Sequence, residues 1–321
     1  MSDPELDRFK TEINLTEYAA SRGYQLIRHE TSRNSVAMKH PATGDKIIIA
    51  RNDNQHWIFF TVGKTTENGS IVDFVQEKGQ GGSLGYVRKT LRPWINGTVS
   101  HRPAPSAYAE KVEVSTKDRQ AILSQLVAMQ LAGDHAYLAS RGITRDILTA
   151  PRFAGRVYVD GYGGAVFPHE DTQGICGLEQ RNRKFKGFPP GSDKGLWRSN
   201  VEREDTRLVF CESAIDALSY HALHPDPHTR YMSFGGGWSD KTRTLIHRAA
   251  KKHPGPEIVL AYDNDPAGHQ YEADTRALLS DIEGKTVTAH YPATGKDWND
   301  QLCAACGIAL NQKPVKTTLE R

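Results

Sequence analysis

Leu208-Val209-Phe210-Cys211-Glu212 and, further on, Ile258-Val259-Leu260-Ala261-Tyr262-Asp263-Asn264-Asp265-Pro266 decide the fold. Each opens as a short apolar run without polar alternation, the pattern of a strand buried on both faces, and each ends in acid. The pattern recurs around them. Tyr231 to Phe234 and Thr286 to His290 read as strands, and Ile215 to Leu223, Thr242 to Lys252 and Ala267 to Leu279 read as helices. This βαβαβαβ order predicts a parallel sheet covered by helices on both faces. The ligand site of such a sheet lies outside the carboxyl ends of its strands, so the residues after each run are the candidates. They are Glu212 after the first run and Asp263-Asn264-Asp265 after the third.

Residues i and i+2 of an extended segment point the same way, so Asp263 and Asp265 share a side. If the two strands are neighbours, three carboxylates converge. Like charges that close cannot all stay ionised without a cation, and hard oxygen ligands suit Mg²⁺ or Mn²⁺. Singly, each acid has an ordinary structural reading: Asp265 before Pro266 as an N-cap, Glu212 as a charge favouring a helix N-terminus.

Upstream, Gly174 to Arg198 holds six basic residues (Arg181, Arg183, Lys184, Lys186, Lys194, Arg198) against two acids, with Phe185, Phe188 and Trp197 interleaved. Cations meet phosphates and rings stack bases, so this stretch is a candidate nucleic-acid or nucleotide track; the alternative is a solvated basic loop. Asp118 to Leu131 and His135 to Ile143, the latter ending at Gly142, read as helices, and Val157-Tyr158-Val159 and Ala165-Val166-Phe167 as strands. Residues 1–99 read as a small α+β unit, with strands at 47–50 and 56–60 around the turn 51–54 and a helix opened by Ser70. The proline-bearing stretch 100–117 reads as a linker.

The chain has 321 residues, 41 Lys+Arg against 38 Asp+Glu, and a net charge of +3 that hides this uneven distribution. No run of about 18 apolar residues occurs, so no membrane span is expected. Four scattered cysteines exclude a disulfide scaffold and place the chain in a reducing cytoplasm. Cys303-Ala304-Ala305-Cys306 has metal or redox spacing without a second pair, and reads as two helical thiols.

The strand ending in Glu212, the helix containing Asp216 and the strand ending in Asp263-x-Asp265 together resemble the Toprim domain of DnaG-type primases, topoisomerases and some nucleases. The resemblance spans roughly Arg207 to Leu302. Ser213 stands where the family usually has Gly, and Gly295-Lys296-Asp297-Trp298-Asn299-Asp300 resembles the primase Lys-Asp-Pro-Asp-Glu segment with Trp and Asn replacing Pro and an acid. Tyr137-Leu138-Ala139-Ser140-Arg141-Gly142-Ile143 and Phe167-Pro168, leading to Arg181, resemble the primase polymerase core.

The first unit resembles the primase zinc ribbon, but Met38, Pro41, Phe59 and Val62 fall near the ligand positions and cannot hold zinc. Apolar side chains are expected to replace the ion there as a small core, as in plasmid- and mobile-element-borne primase-like proteins. The expected organisation is thus a metal-free zinc-ribbon-like domain (1–99), a linker (100–117), a primase-core-like basic subdomain (118–206), a Toprim domain (207–302) and a tail (303–321).

The resemblance implies a primase: an enzyme making short RNA primers from ribonucleotides on a single-stranded DNA template, serving plasmid or mobile-element replication or transfer with its partner proteins. Glu212, Asp263 and Asp265 would be catalytic and, with Asp297, would hold Mg²⁺ or Mn²⁺. Arg181, Arg183, Lys184, Lys186, Lys194 and Lys296 would contact nucleic acid or nucleotide. The alternatives are a Toprim nuclease hydrolysing phosphodiesters with the same acids, and a non-catalytic DNA-binding accessory.

Overall fold

The computed structural model describes residues 3–52, 54–62, 67–79, 81–114, 116–183 and 185–309. Lys184 and most of the 303–321 tail lie outside the described residues. The chain divides into two compact units, Met1–Thr116 and Lys117–Arg321.

In the first unit, α1 (Pro4–Glu12) and α2 (Leu15–Ser21) precede a five-stranded antiparallel meander of β1 (Gln25–Leu26), β2 (Ser35–Lys39), β3 (Lys46–Arg51), β4 (Trp57–Thr61) and β5 (Asn68–Ser70). Two helices, α3 (Ile71–Glu77) and α4 (Leu84–Ile95), follow. The expected hairpin is present, with Ala50 opposite Ile58 and Arg51 opposite Trp57. Period-two alternation turns Val36, Met38, Ile47, Ile49, Trp57 and Phe59 inward against Ile71, Phe74 and Val75. Ser70 caps α3 in a reciprocal box with Asp73.

The expected apolar replacement for zinc holds for only two of its four residues. Met38 and Phe59 are buried, but Pro41 and Val62 are exposed. A polar network ties this end of the sheet instead: the Tyr24 hydroxyl donates to Asp45, and Lys78 bridges Asp45 at 3.0 Å and Glu67. The segment after α4 is held along the same unit. Asn14 Nδ2 donates to the Ala109 carbonyl at 2.8 Å, Glu113 N–H donates to the Arg33 carbonyl at 2.8 Å, and Val112 is buried.

The second unit starts with α5 (Arg119–Val127), β6 (Gln130–Leu131), α6 (Ala136–Ala139) and α7 (Arg145–Thr149). The helix expected to reach Leu131 ends early because Gln130 and Leu131 pair with Val159 and Tyr158. The one expected over 135–143 shrinks to a single turn capped by His135. Next come β7 (Tyr158–Val159), β8 (Ala165–Asp171), β9 (Gly174–Arg181) and β10 (Lys186–Gly187), in an antiparallel sheet ordered β6-β7-β8-β9-β10.

A second sheet is built from β11 (Trp197–Arg198), β12 (Arg207–Cys211), β13 (Thr229–Ser233), β14 (Glu257–Ala261) and β15 (Thr286–Ala289), with α8 (Ala214–Leu223), α9 (Asp240–Lys252), α10 (Pro266–Leu279) and a final α11 (Trp298–Ala305). Its order is β11-β13-β12-β14-β15. The last four strands in chain order are parallel, as expected, and β11 adds an antiparallel edge. Both faces are covered. Val209, Cys211, Tyr231, Val259 and Ala261 pack on α8 and α11, and Leu208, Phe210, Ile258 and Leu260 pack with Ile246 of α9 and Tyr271 of α10. That explains why β12 and β14 read as unbroken apolar runs.

Arg152, on the connection after α7, ties down the connections before β12 and β13 through a buried bidentate pair with Asp205 (2.7 and 3.1 Å), and also donates to the carbonyls of Asn200 and Pro227. Asp205→Ala leaves that guanidinium buried without its counter-charge. Urea unfolding of the variant is expected to show a loss of about 3–5 kcal/mol, whereas the double replacement Arg152→Met/Asp205→Leu recovers most of it.

Candidate active site

Strands β12 and β14 are neighbours, with Cys211 opposite Ala261. The chain leaves β12 for α8 on one face of the sheet and leaves β14 for α10 on the other, so the crevice beyond these two strand ends is the topological switch point. Glu212 and Asp263 both stand there, and the Asp263 N–H donates to Glu212 Oε1 at 3.2 Å. Asp265 is the N-cap of α10, accepting from Gly268 N–H at 2.9 Å, and Asp297 is the N-cap of α11, accepting from Asp300 N–H at 2.7 Å. The capping reading of Asp265 is therefore correct, and it leaves the second carboxylate oxygen, Oδ2, on the crevice side. Lys296 occupies that side, 2.9 Å from Asp265 and 3.7 Å from Asp263.

Asp216 was not among the expected site residues. It lies in the first turn of α8, buried, accepting a hydrogen bond from its N-cap Ser213. The signal was in the sequence, four residues after Glu212, but a Ser-x-x-Asp pattern also reads as a simple capping motif.

The electrostatics tie these acids together. Burial, then the negative charges of Asp216, Glu212 and Asp297, push Asp263 up to about 9. Burial first, then Asp216 and Asp265, push Glu212 up to about 7, and burial and Asp297 push Asp216 up to about 6. Burial also raises Asp297. Asp265 goes the other way: burial opposes it, but the Gly268 N–H and the Lys296 ammonium hold its carboxyl below the usual range. Asp263 Oδ1 is buried with no hydrogen-bond partner.

Among the described residues no three His, Cys, Asp or Glu side chains converge tightly enough to hold a metal ion as they stand. The donor set nevertheless fits one. Glu212, Asp216, Asp263 and Asp297 share a field that disfavours their charged forms, one buried oxygen of Asp263 is orphaned, and the nearest cation is the side chain of Lys296, more than half exposed. Glu212, Asp263, Asp265 and Asp297 are the residues that would hold a divalent cation, with oxygen ligands of the kind Mg²⁺ and Mn²⁺ take.

Two of the expected basic residues line the same region firmly. Arg181 is buried, its Nε donating to Glu179 at 2.6 Å, and its charge lowers Asp216. Lys194 Nζ donates to the Gly236 carbonyl at 2.7 Å and lies 5.4 Å from the Phe188 ring centre. Lys186 is partly exposed; burial and Arg181 push it down, while Asp216 and Asp263 oppose that shift. Arg183 is exposed, and among the described residues no ion pair joins it to the acids. Of the interleaved aromatics, Phe185 is exposed, but Trp197 is fully buried against Phe153 and Phe167 and cannot stack a base. The basic stretch is thus partly core, because β9 turns Glu179 and Arg181 inward.

Asn299, which stands where the primase segment has an acid, is fully buried. Its amide donates to the Arg141 carbonyl at 2.8 Å and Ser219 Oγ at 2.9 Å, and Trp298 Nε1 donates to the Ala261 carbonyl at 3.1 Å. Both substituted residues dock α11 beneath the site rather than face it.

Gly235, Gly236 and Gly237 have φ of 68°, 72° and 83°, three successive left-handed residues, and Gly236 N–H donates to the Glu212 carbonyl at 3.2 Å. A Cβ at Gly235 would meet His169 Cε1 at 2.9 Å and Phe188 Cζ at 3.0 Å, whereas one at Gly236 meets nothing within 4 Å. Gly235→Ala is expected to cost about 1–3 kcal/mol and Gly236→Ala about 1 kcal/mol, a difference that thermal melts of the two variants resolve.

Residues 209–302 match a family described as Toprim-like. Residues 136–202 match a family described as a protein of unknown function, DUF3991. The sheet carrying the acids is therefore a Toprim-like domain. No curated protein matches the chain. Among solved structures, the primase fragment of the bacteriophage T7 primase-helicase protein is 19% identical over 54% of this chain and 70% of its own, with a TM-score of 0.41. The E. coli primase catalytic core is 18% identical over 58% of this chain and 72% of its own, with a TM-score of 0.35.

Proposed function

We propose that this chain is a primase, a metal-dependent nucleotidyl transferase that joins ribonucleotides into short primers on single-stranded DNA in the service of a plasmid or mobile element. The observation that carries the reading is the grouping of Glu212, Asp216, Asp263, Asp265 and Asp297 around the switch point of a Toprim-like sheet, with Arg181, Lys186 and Lys194 beside them. A divalent cation bound by Glu212, Asp263, Asp265 and Asp297 supplies the positive charge that offsets a triphosphate.

The chain's own residues do the rest. In primer extension a 3′-hydroxyl oxygen bonds to the α-phosphorus of the incoming nucleotide, pyrophosphate leaves, and the hydroxyl proton passes to a base. Glu212, one oxygen held by the Asp263 N–H, has its other oxygen placed to take that proton or to help hold the cation. Arg181, fixed by Glu179, and Lys194, fixed by Gly236, present preset cations to the phosphates, and Lys186 and Lys296 add exposed ones. Arg183, exposed on the connection after β9, adds a further cation for the template.

The test incubates the protein with single-stranded DNA, labelled ribonucleotides and Mg²⁺ or Mn²⁺, beside an Asp263→Ala control, with both strands followed on a gel. Labelled oligonucleotides lost in the variant are the expected result. Shortened DNA would make the chain a nuclease, and DNA binding without either product would make it an accessory protein.

A further inference from the structure

A second charged site lies at the β11 edge of the same sheet. Arg230 is the second residue of β13, whose carboxyl end leads to Gly235 and the acids. Arg230 and Met232 turn toward the C-terminal half of α9, where, with Arg198 of the edge strand β11, they line a cavity of about 300 Å³ that Arg248 and Lys252 close from α9. Its floor is apolar, formed by Leu196, Met232 and Leu245.

The charge in this cavity is not balanced by its own acids. Glu170 already binds Arg198 and, at 3.0 Å, Arg156. Asp171 already binds Arg119 at 2.7 Å and Lys241 at 2.9 Å. Among the described residues Arg230, Arg248 and Lys252 take part in no ion pair. The Nε atoms of Arg230 and Arg198 are both buried without a hydrogen-bond partner. Holding a half-buried guanidinium beside a second one, each with an unmet donor, is unfavourable unless an anion completes them. The helix dipole accounts for Lys252 in the last turn of α9 but not for Arg230 on a strand.

We propose that this cavity binds a phosphate group, held by Arg230 and Arg198 with Arg248 and Lys252 at the rim, at a site separate from the carboxylate centre. The planar guanidinium fork suits phosphate oxygens, and the small volume with an apolar floor admits one or two phosphates and the edge of a sugar. A nucleic-acid backbone and a free nucleotide share that chemistry.

The experiment titrates the full chain with inorganic pyrophosphate by calorimetry, in EDTA so that no metal bound by the acids contributes. Saturable binding is expected, weakened at least tenfold in Arg230→Gln and in the surface variant Arg248→Glu/Lys252→Glu, and unchanged in Arg243→Gln, an exposed residue of α9 outside the cavity. The surface variant keeps the test valid if Arg230→Gln does not fold. Competition by a 5′-hydroxyl thymidine dodecamer assigns the pocket to a strand backbone. Competition by a nucleoside triphosphate alone assigns it to a free nucleotide. Absence of saturable binding, or binding that survives both pocket variants, or binding weakened as much by Arg243→Gln, overturns the proposal. Because the readout is metal-free binding, its failure leaves the primase reading standing, and the reverse.

Discussion

Asp263→Asn is expected to abolish primer synthesis, by about a thousandfold or more, and at the same time to make the metal-free protein more stable. The side chain is nearly isosteric, so the packing around β12 and β14 is kept. What disappears is the need to protonate, on folding, a carboxyl whose charged form burial, Asp216, Glu212 and Asp297 all oppose. Relieving it is worth on the order of 2 kcal/mol, a rise in Tm of roughly 4–8 °C for a unit of this size.

The pH dependence fixes the sign. The folded carboxyl titrates at about 9, above its unfolded value, so the folded state holds the proton more tightly and wild-type stability falls as pH rises from about 4 toward 9. Melts in EDTA at pH 6 and pH 8.5 check this: the advantage of Asp263→Asn should grow at the higher pH. An equal advantage at both would mean that charge is not the cause.

Glu179→Leu is expected to lower stability by about 3–5 kcal/mol and to depress synthesis well beyond what the loss of folded protein explains. Glu179 is buried between His169, whose Nε2 lies 3.2 Å away, and Arg181. Burial opposes its ionisation, but the hydrogen bond from His169 and the Arg181 charge outweigh that and hold it down to about 2. Its stabilising contribution is therefore complete above about pH 4.3 and is lost as the pH falls through about 2. Removing it strands a buried guanidinium and frees Arg181 from its place beside Asp216. Glu179→Gln, which keeps a hydrogen-bond acceptor, should recover part of the stability. Urea unfolding at pH 7 and single-turnover synthesis with excess enzyme separate the two effects.

The parallel sheet was legible because β12 and β14 are buried on both faces and so carry unbroken apolar runs, and their terminal acids pointed to the crevice. The β8–β9 hairpin was not legible along its length, because its inward positions hold His169, Glu179 and Arg181, which interrupt the apolar alternation that marks a strand. The same inward turn misled the reading of the basic stretch, since charge density along a sequence does not say which residues face water. Trp197 fell with it. In the first unit the loss of zinc ligands was plain, but what replaces the ion was not. Tyr24, Asp45, Glu67 and Lys78 come from distant positions, and only the meander brings them together. Asp216 was hidden by ambiguity, one residue serving a helix start and a carboxylate cluster at once.

The carboxylate centre is the claim on which the rest depends, and Mn²⁺ binding tests it most directly. Electron paramagnetic resonance titration of the wild-type chain with Mn²⁺ should show saturable binding that Mg²⁺ competes away and that Asp263→Asn and Glu212→Gln each weaken by at least tenfold. The metal-bound wild type should also lose its fall in stability with rising pH. Binding left intact by both substitutions, or none at millimolar Mn²⁺, would contradict a metal centre formed by these acids.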